Sequence, residues 1–168
     1  MNKSTIEKVV RILIEEEGGD WVLLGGSLAR LEFGGRRATL DIELFSCDGK
    51  PESRLQLLRT AEKVGLPVEA LNSAADFFLY RVPKWKEELI LVRKGRRGRL
   101  YRPSKTLFCA LKLSRGTDAD IEDCEVALRA PGADVVEPRK LKNWLARLKV
   151  KLNAPAMKFL SKMCKQED

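Results

Sequence analysis

Residues Thr39 to Phe45 read Thr-Leu-Asp-Ile-Glu-Leu-Phe, a strict alternation of apolar and other side chains. A period of two fits an extended strand, with Leu40, Ile42 and Leu44 on one face and Thr39, Asp41, Glu43 and Phe45 on the other. Asp41 and Glu43 then share a face, their alpha carbons about 6.5 Å apart. Two carboxylates at that spacing can bracket a hard cation. Magnesium commonly takes one or two carboxylates and fills its remaining positions with water and substrate phosphate. The same alternation also describes the wet face of any half-buried strand, so the neighbouring sequence has to decide between the two.

Upstream, Trp21-Val22-Leu23-Leu24 is a short apolar run that reads as a buried strand, and Gly25-Gly26-Ser27 breaks it and opens a short helix through Phe33. Glycines let a backbone approach a phosphate closely, and a helix N-terminus offers free N–H donors. Before that run, Ser4 and Glu7 have capping-box spacing ahead of the helical stripe Ile6, Val9, Val10, Leu13, Ile14, and Gly18-Gly19 ends that helix. After the acidic strand, a helix is predicted from Glu52 to Val64, a strand from Val68 to Leu71 and a short helix from Ser73 through Tyr80. A hairpin follows, Glu88–Val92 returning through Leu100-Tyr101 around the turn Gly95–Gly98. Helices are then predicted over Ser104–Leu113 and Asp118–Leu128, and an amphipathic stripe over Leu141, Trp144, Leu145, Leu148 and Leu152. Mixed strands and helices followed by helices alone give an α+β class, a small mixed sheet flanked by helices with a C-terminal helical extension. The division falls at residues 1–102 and 103–168.

Composition narrows the chemistry. The 168 residues include no histidine, which removes Ser-His and Cys-His hydrolases and most zinc enzymes. The four cysteines, Cys47, Cys109, Cys124 and Cys164, form no C-x-x-C pair and read as scattered reduced thiols. No apolar run approaches the roughly 20 residues of a membrane span, and Met1–Arg11 carries no signal-peptide pattern, so a cytoplasmic protein without a membrane partner is expected. Lysine and arginine number 32 against 24 acids, a net charge of +8. Part of that excess crowds the hairpin at Arg93, Lys94, Arg96, Arg97, Arg99 and Arg102. Part lies from Arg139 onward, where nine cations meet acids only at Glu167 and Asp168. Both clusters suit a phosphate backbone such as RNA; a charge-protected sheet edge and a solvated helix face fit them as well.

Gly25-Gly26-Ser27 followed by Arg37-Ala38-Thr39-Leu40-Asp41-Ile42-Glu43-Leu44-Phe45 resembles the signature of the DNA polymerase beta-like nucleotidyltransferase superfamily. It is most similar to small bacterial and archaeal proteins related to the toxin of the AbiE abortive-infection system. Lys112-Leu113, Arg115, Asp120 and Asp123 resemble the lysine-arginine-aspartate helical segment of the same proteins, so the likeness spans about Trp21 to Leu128. It implies a nucleotidyltransferase-type fold, with magnesium on Asp41 and Glu43 and a triphosphate held by Gly25, Gly26 and Ser27. Arg37 and Lys112 are further phosphate-binding candidates. Two positions depart from the family pattern. Glu43 stands where the family usually has aspartate. The third carboxylate, which acts as base in the family, falls on the short strand near Glu69 and reads equally as a surface glutamate; Glu88 is the fallback.

The implied activity is magnesium-dependent transfer of a nucleoside monophosphate from a triphosphate to an acceptor hydroxyl, either an RNA 3′ end or a protein. The resemblance also implies a toxin of a toxin–antitoxin pair with an antitoxin protein as partner. The alternative is a catalytically degenerate member of the fold that binds RNA or protein.

Overall fold

The computed structural model describes residues 1–72 and 79–164. Most of the predicted helix from Ser73 through Tyr80 lies outside them. The chain forms two compact units, Met1–Asp76 with Leu89–Pro103 and Phe77–Glu88 with Ser104–Asp168. The class is α+β, with a five-stranded mixed sheet and seven helices among the described residues.

In the first unit α1 (Lys3–Ile12) widens into a π-helical turn, Leu13–Glu17, and ends at Gly18 with φ of 88°. Its N-cap is Asn2, whose side chain accepts from the Thr5 amide at 2.8 Å. Cap formation therefore starts two residues before the predicted Ser4, because the asparagine oxygen reaches the N3 amide first. The apolar run becomes β1 (Gly19–Leu23), followed by α2 (Gly25–Glu32), β2 (Ile42–Ser46), α3 (Glu52–Val64), β3 (Leu71–Asn72), β4 (Leu89–Lys94) and β5 (Gly98–Pro103). The strand order is β3-β2-β1-β5-β4. Strand β1 runs antiparallel to β2 and parallel to β5, and β2 runs parallel to β3. Trp21, Val22 and Leu23 are buried, as expected of a strand flanked on both edges.

The basic hairpin β4–β5 is tied to the end of α1. The Arg97 amide donates to Ile14 O at 2.9 Å, its guanidinium to Glu16 O at 2.6 Å, and the Arg96 amide to the Glu15 carboxylate at 3.0 Å. Arg99 grips Asp20 with two bonds of 2.9 and 2.6 Å. Cationic donors thus meet the carbonyls that a helix C-terminus leaves unpaired. Gly98 lies opposite Gly19 in the β1–β5 ladder, where the backbones are too close for a Cβ at position 98.

Two sequence expectations are corrected here. The acidic strand begins at Ile42, not Thr39: Leu40 is 94% exposed and Thr39 is buried. The Thr39 hydroxyl donates to Asp41 O at 2.8 Å, a local bond that competes with the ladder and leaves a bend at Leu40-Asp41. Val68–Ala70 is a 3₁₀ turn after Pro67, and only Leu71-Asn72 pair with β2.

The second unit is helical: α4 (Lys105–Leu113), α5 (Asp118–Arg129), α6 (Pro138–Arg147) and α7 (Ala154–Cys164). Ser104 caps α4 through the Leu107 amide, and Thr117 with Asp120 forms a capping box on α5. The core holds Phe108, Cys109, Cys124, Leu141, Trp144 and Phe159. All four cysteines are free thiols. Lys112 is only 3% exposed, its ammonium 2.6 Å from Asp123 and 3.3 Å from Asp120, and Arg115 reaches Asp120 at 2.7 Å.

Removing Lys112 takes a cationic partner from two buried carboxylates, of which Asp120 keeps Arg115. Lys112→Met should therefore cost about 3–5 kcal/mol in urea denaturation; a change below about 1 kcal/mol would show the network to be solvated. The same network sets an acid dependence. Burial pushes the Asp120 carboxyl up, but bonds from Arg115 and Thr117 and the charge of Lys112 outweigh it and hold it below its ordinary value of 3.8. A depressed carboxyl stabilises the fold above its unfolded value and loses that contribution as pH falls through the folded one. Thermal melts should lose stability below about pH 3.8, and Asp120→Asn should remove that part of the pH dependence.

Candidate active site

Strand β1 delivers the glycine turn directly beside the acidic strand. The ladder runs Leu23 opposite Leu44, and the Leu24 amide then donates to Glu43 O at 2.9 Å. Gly25 follows with φ of 63°, a conformation that costs an L-residue about 1–2 kcal/mol. The Glu43 carboxylate packs against its bare alpha carbon: a Cβ on Gly25 would lie 2.5 Å from Glu43 Cδ and Oε2 and 2.8 Å from Oε1. A turn sequence able to take this φ and leave this space is what seats a carboxylate at the start of α2. The N-cap residue Leu24 has no side chain to bond the first-turn amides, so the electropositive end of α2 faces an anionic group.

The loop after α2 folds back over the same turn. The Gly35 amide donates to Ala29 O at 2.9 Å, and Arg30 Nη1 donates to Arg36 O at 2.7 Å and Arg37 O at 3.1 Å. This pins Arg37 with its Nη2 3.1 Å from where a Cβ on Gly26 would stand, and Thr39 Oγ1 at 3.5 Å from the same point. The amino terminus of Met1 donates to Thr39 O and ties the loop to the start of α1. Asp41 sits on the bend. One of its carboxylate oxygens accepts from the Asn72 amide, and the other lies 3.4 Å from the Thr39 hydroxyl.

Asn72 bonds one acid and pairs beside the other. It stands opposite Glu43 in the parallel β2–β3 ladder, so both side chains leave the same face. Because its amide nitrogen reaches Asp41, all three share that face. Glu43 thus lies against Gly25 and Arg37 against Gly26, while Asp41 is reached through Asn72. Thr39, Asn72 and Arg30 were not among the expected site residues. Asn72 follows a 3₁₀ turn and belongs to a two-residue strand, so no periodicity marks it, and only the β2 register brings it in.

Three other expected residues lie differently. Ser27 is buried, and its hydroxyl donates back to Leu24 O at 2.8 Å. Glu69 is exposed on the 3₁₀ turn, before the paired residues of β3, so the place beside Glu43 belongs to Asn72. Lys112 belongs to the second unit, where its ammonium is enclosed by Asp120 and Asp123.

The donor set suits magnesium: two carboxylates on one face, one seated in a glycine cradle and the other oriented by an amide. The described residues hold no group of three or more metal-ligating side chains, and two carboxylates are the usual protein share for this ion. Comparison with protein-family models, with curated proteins and with solved structures finds no match to this chain.

A side chain at Gly25 meets both the φ and the carboxylate. Gly25→Ala should cost about 1–3 kcal/mol in chemical denaturation. Gly26→Ala should cost well under half of that, because its neighbour is the far end of an arginine. Equal costs for the two would argue that Glu43 does not hold its place against Gly25.

Proposed function

We propose that this chain binds a nucleoside triphosphate with magnesium at the Asp41–Glu43 face and transfers the nucleoside monophosphate to an acceptor hydroxyl. The observation that carries the reading is the seating of the Glu43 carboxylate and the Arg37 guanidinium against the glycine turn of α2, with Asp41 held by Asn72 across from Glu43 on β3. A phosphate seated on that turn would find backbone N–H donors, and a guanidinium suits two phosphate oxygens at once. Asp41 and Glu43 would hold the magnesium ion, which supplies neutralisation of phosphate charge when bound. Asn72 would keep the Asp41 carboxylate turned toward its neighbour. The acceptor is an RNA 3′ end or a protein hydroxyl, and a toxin role with an antitoxin partner follows from the sequence resemblance.

A second reading, a binding module without turnover, is favoured by one observation. The residue beside Glu43 on β3 is an amide, not a third carboxylate able to take a proton from the acceptor. Asn72 cannot act as a general base.

Labelled triphosphates incubated with total RNA and with the protein alone, with magnesium or with chelator, separate the two. If transfer occurs, it should require magnesium and fall at least about 100-fold in Asp41→Asn, the scale of losing a principal electrostatic group. Asn72→Asp, which adds a carboxylate beside Glu43, should raise it, and Glu69→Gln should leave it unchanged. Magnesium-dependent nucleotide binding without transfer would establish the second reading. Absence of nucleotide binding would end both.

A further inference from the structure

The positive charge of this chain is not spread evenly. Residues up to Glu137 carry 23 lysines and arginines against 22 acids, whereas Pro138–Cys164 carries eight and no acid. In the near-neutral part several cations have partners within the fold. On the hairpin, the Arg97 guanidinium bonds the Glu16 carbonyl and Arg99 pairs with Asp20, while the Arg96 backbone amide bonds the Glu15 carboxylate. Lys105 is buried against Ala130 O, and Lys112 is enclosed by Asp120 and Asp123.

Helices α6 and α7 differ. Their apolar stripes are buried in the helical unit, through Leu141, Trp144 and Leu145 on α6 and through Ala156, Phe159 and Met163 on α7. Their other faces, with the segment between, expose Arg139, Arg147, Lys151 and Lys158, which form no ion pair among the described residues. Arg139 and Arg147 lie eight residues apart, about 12 Å along one face of α6. Like charges arrayed this way repel one another, and a polyanion relieves that repulsion while releasing its counterions.

We propose that the exposed face of α6 and α7 binds the phosphodiester backbone of single-stranded nucleic acid, without reading its bases. An anionic membrane is the less suitable partner. Interfacial helices insert an apolar face, and here both apolar faces are already packed. Base stacking has no platform on α6 either: Trp144 is buried, with the Lys140 ammonium 5.2 Å over its ring. Recognition therefore rests on charge alone. The inference does not rest on nucleotide transfer at Asp41.

The test is fluorescence anisotropy of the full chain with labelled oligouridylate of about 20 nucleotides, in chelator and without triphosphate. A failure of the transfer reaction cannot then affect the result. Oligothymidylate of equal length distinguishes RNA from phosphodiester in general, and binding of either supports the surface. The variant Arg139→Gln/Arg147→Gln/Lys151→Gln/Lys158→Gln should lose at least about ten-fold in affinity, and its log–log salt slope should become shallower by about 0.7 for each phosphate it no longer neutralises. The matched exchange Arg139→Lys/Arg147→Lys/Lys151→Arg/Lys158→Arg should bind as the wild type does. Arg97→Gln/Arg99→Gln should lower the melting temperature and leave affinity and slope alone. Wild-type protein that binds neither oligonucleotide would overturn the proposal. So would a glutamine variant that binds like the wild type, or binding to phosphatidylserine vesicles without binding to either oligonucleotide.

Discussion

The short buried strand Gly19–Leu23 governs the first unit. It is paired on both edges, so its backbone groups are matched by β2 on one side and β5 on the other. An interior strand of this kind tolerates little slippage, since a one-residue shift would turn its buried side chains to the opposite face. Each end of the strand is consequently held to a fixed neighbour. At its start, Gly19 lies against Gly98 and brings the arginines of the hairpin to the carbonyls that close α1. At its finish, Leu24 bonds Glu43 and Gly25 presents a bare alpha carbon to the Glu43 carboxylate. The candidate site is thus built beside an interior strand of the unit, which is how a constellation of charged groups keeps its geometry.

Arginine and lysine do two kinds of work in this chain. One set closes structure: Arg97 on the end of α1, Arg30 on the loop that carries Arg37, Lys105 on Ala130 O, and Lys112 between two aspartates. These groups meet carbonyls or carboxylates withdrawn from water, where an unmatched partner would be costly. The other set, on α6 and α7, remains in solvent on helices whose apolar sides are already packed. A count of charges does not separate the two sets. Their partners do, and the acids that supply partners are abundant up to Glu137 and absent from the next 27 residues.

The acidic face joins one cradled and one tethered carboxylate. Glu43 is longer than the aspartate expected at its position, and Gly25 leaves room for the extra methylene. Asp41 is removed from the regular strand by the Thr39 bend, yet the Asn72 amide turns it back to the face it would have shared in a continuous strand. The face therefore carries two carboxylates and one neutral amide. It places no third proton acceptor on β3 beside Glu43.

Much of this was legible in the residues alone. Alternation around Ile42 and Leu44, the apolar run before Gly25-Gly26, and the stripes of α1 and α6 follow from periods of 2 and 3.6, which are local properties of a chain. Glycine at position 25 likewise announces a turn wherever it lies, because its conformational range belongs to the residue. What tertiary structure decided is which distant groups meet. Asn72 beside Asp41, Lys112 inside an ion-pair network, and hairpin arginines against α1 depend on register and packing across 11 to 81 residues of chain. The sequence by itself supplied the two acids and the glycine turn. Only the fold determined that an amide bonds Asp41 across from Glu43 and that Arg97 and Arg99 close structure on the hairpin, because pairing between remote residues leaves no pattern in the residues near either partner.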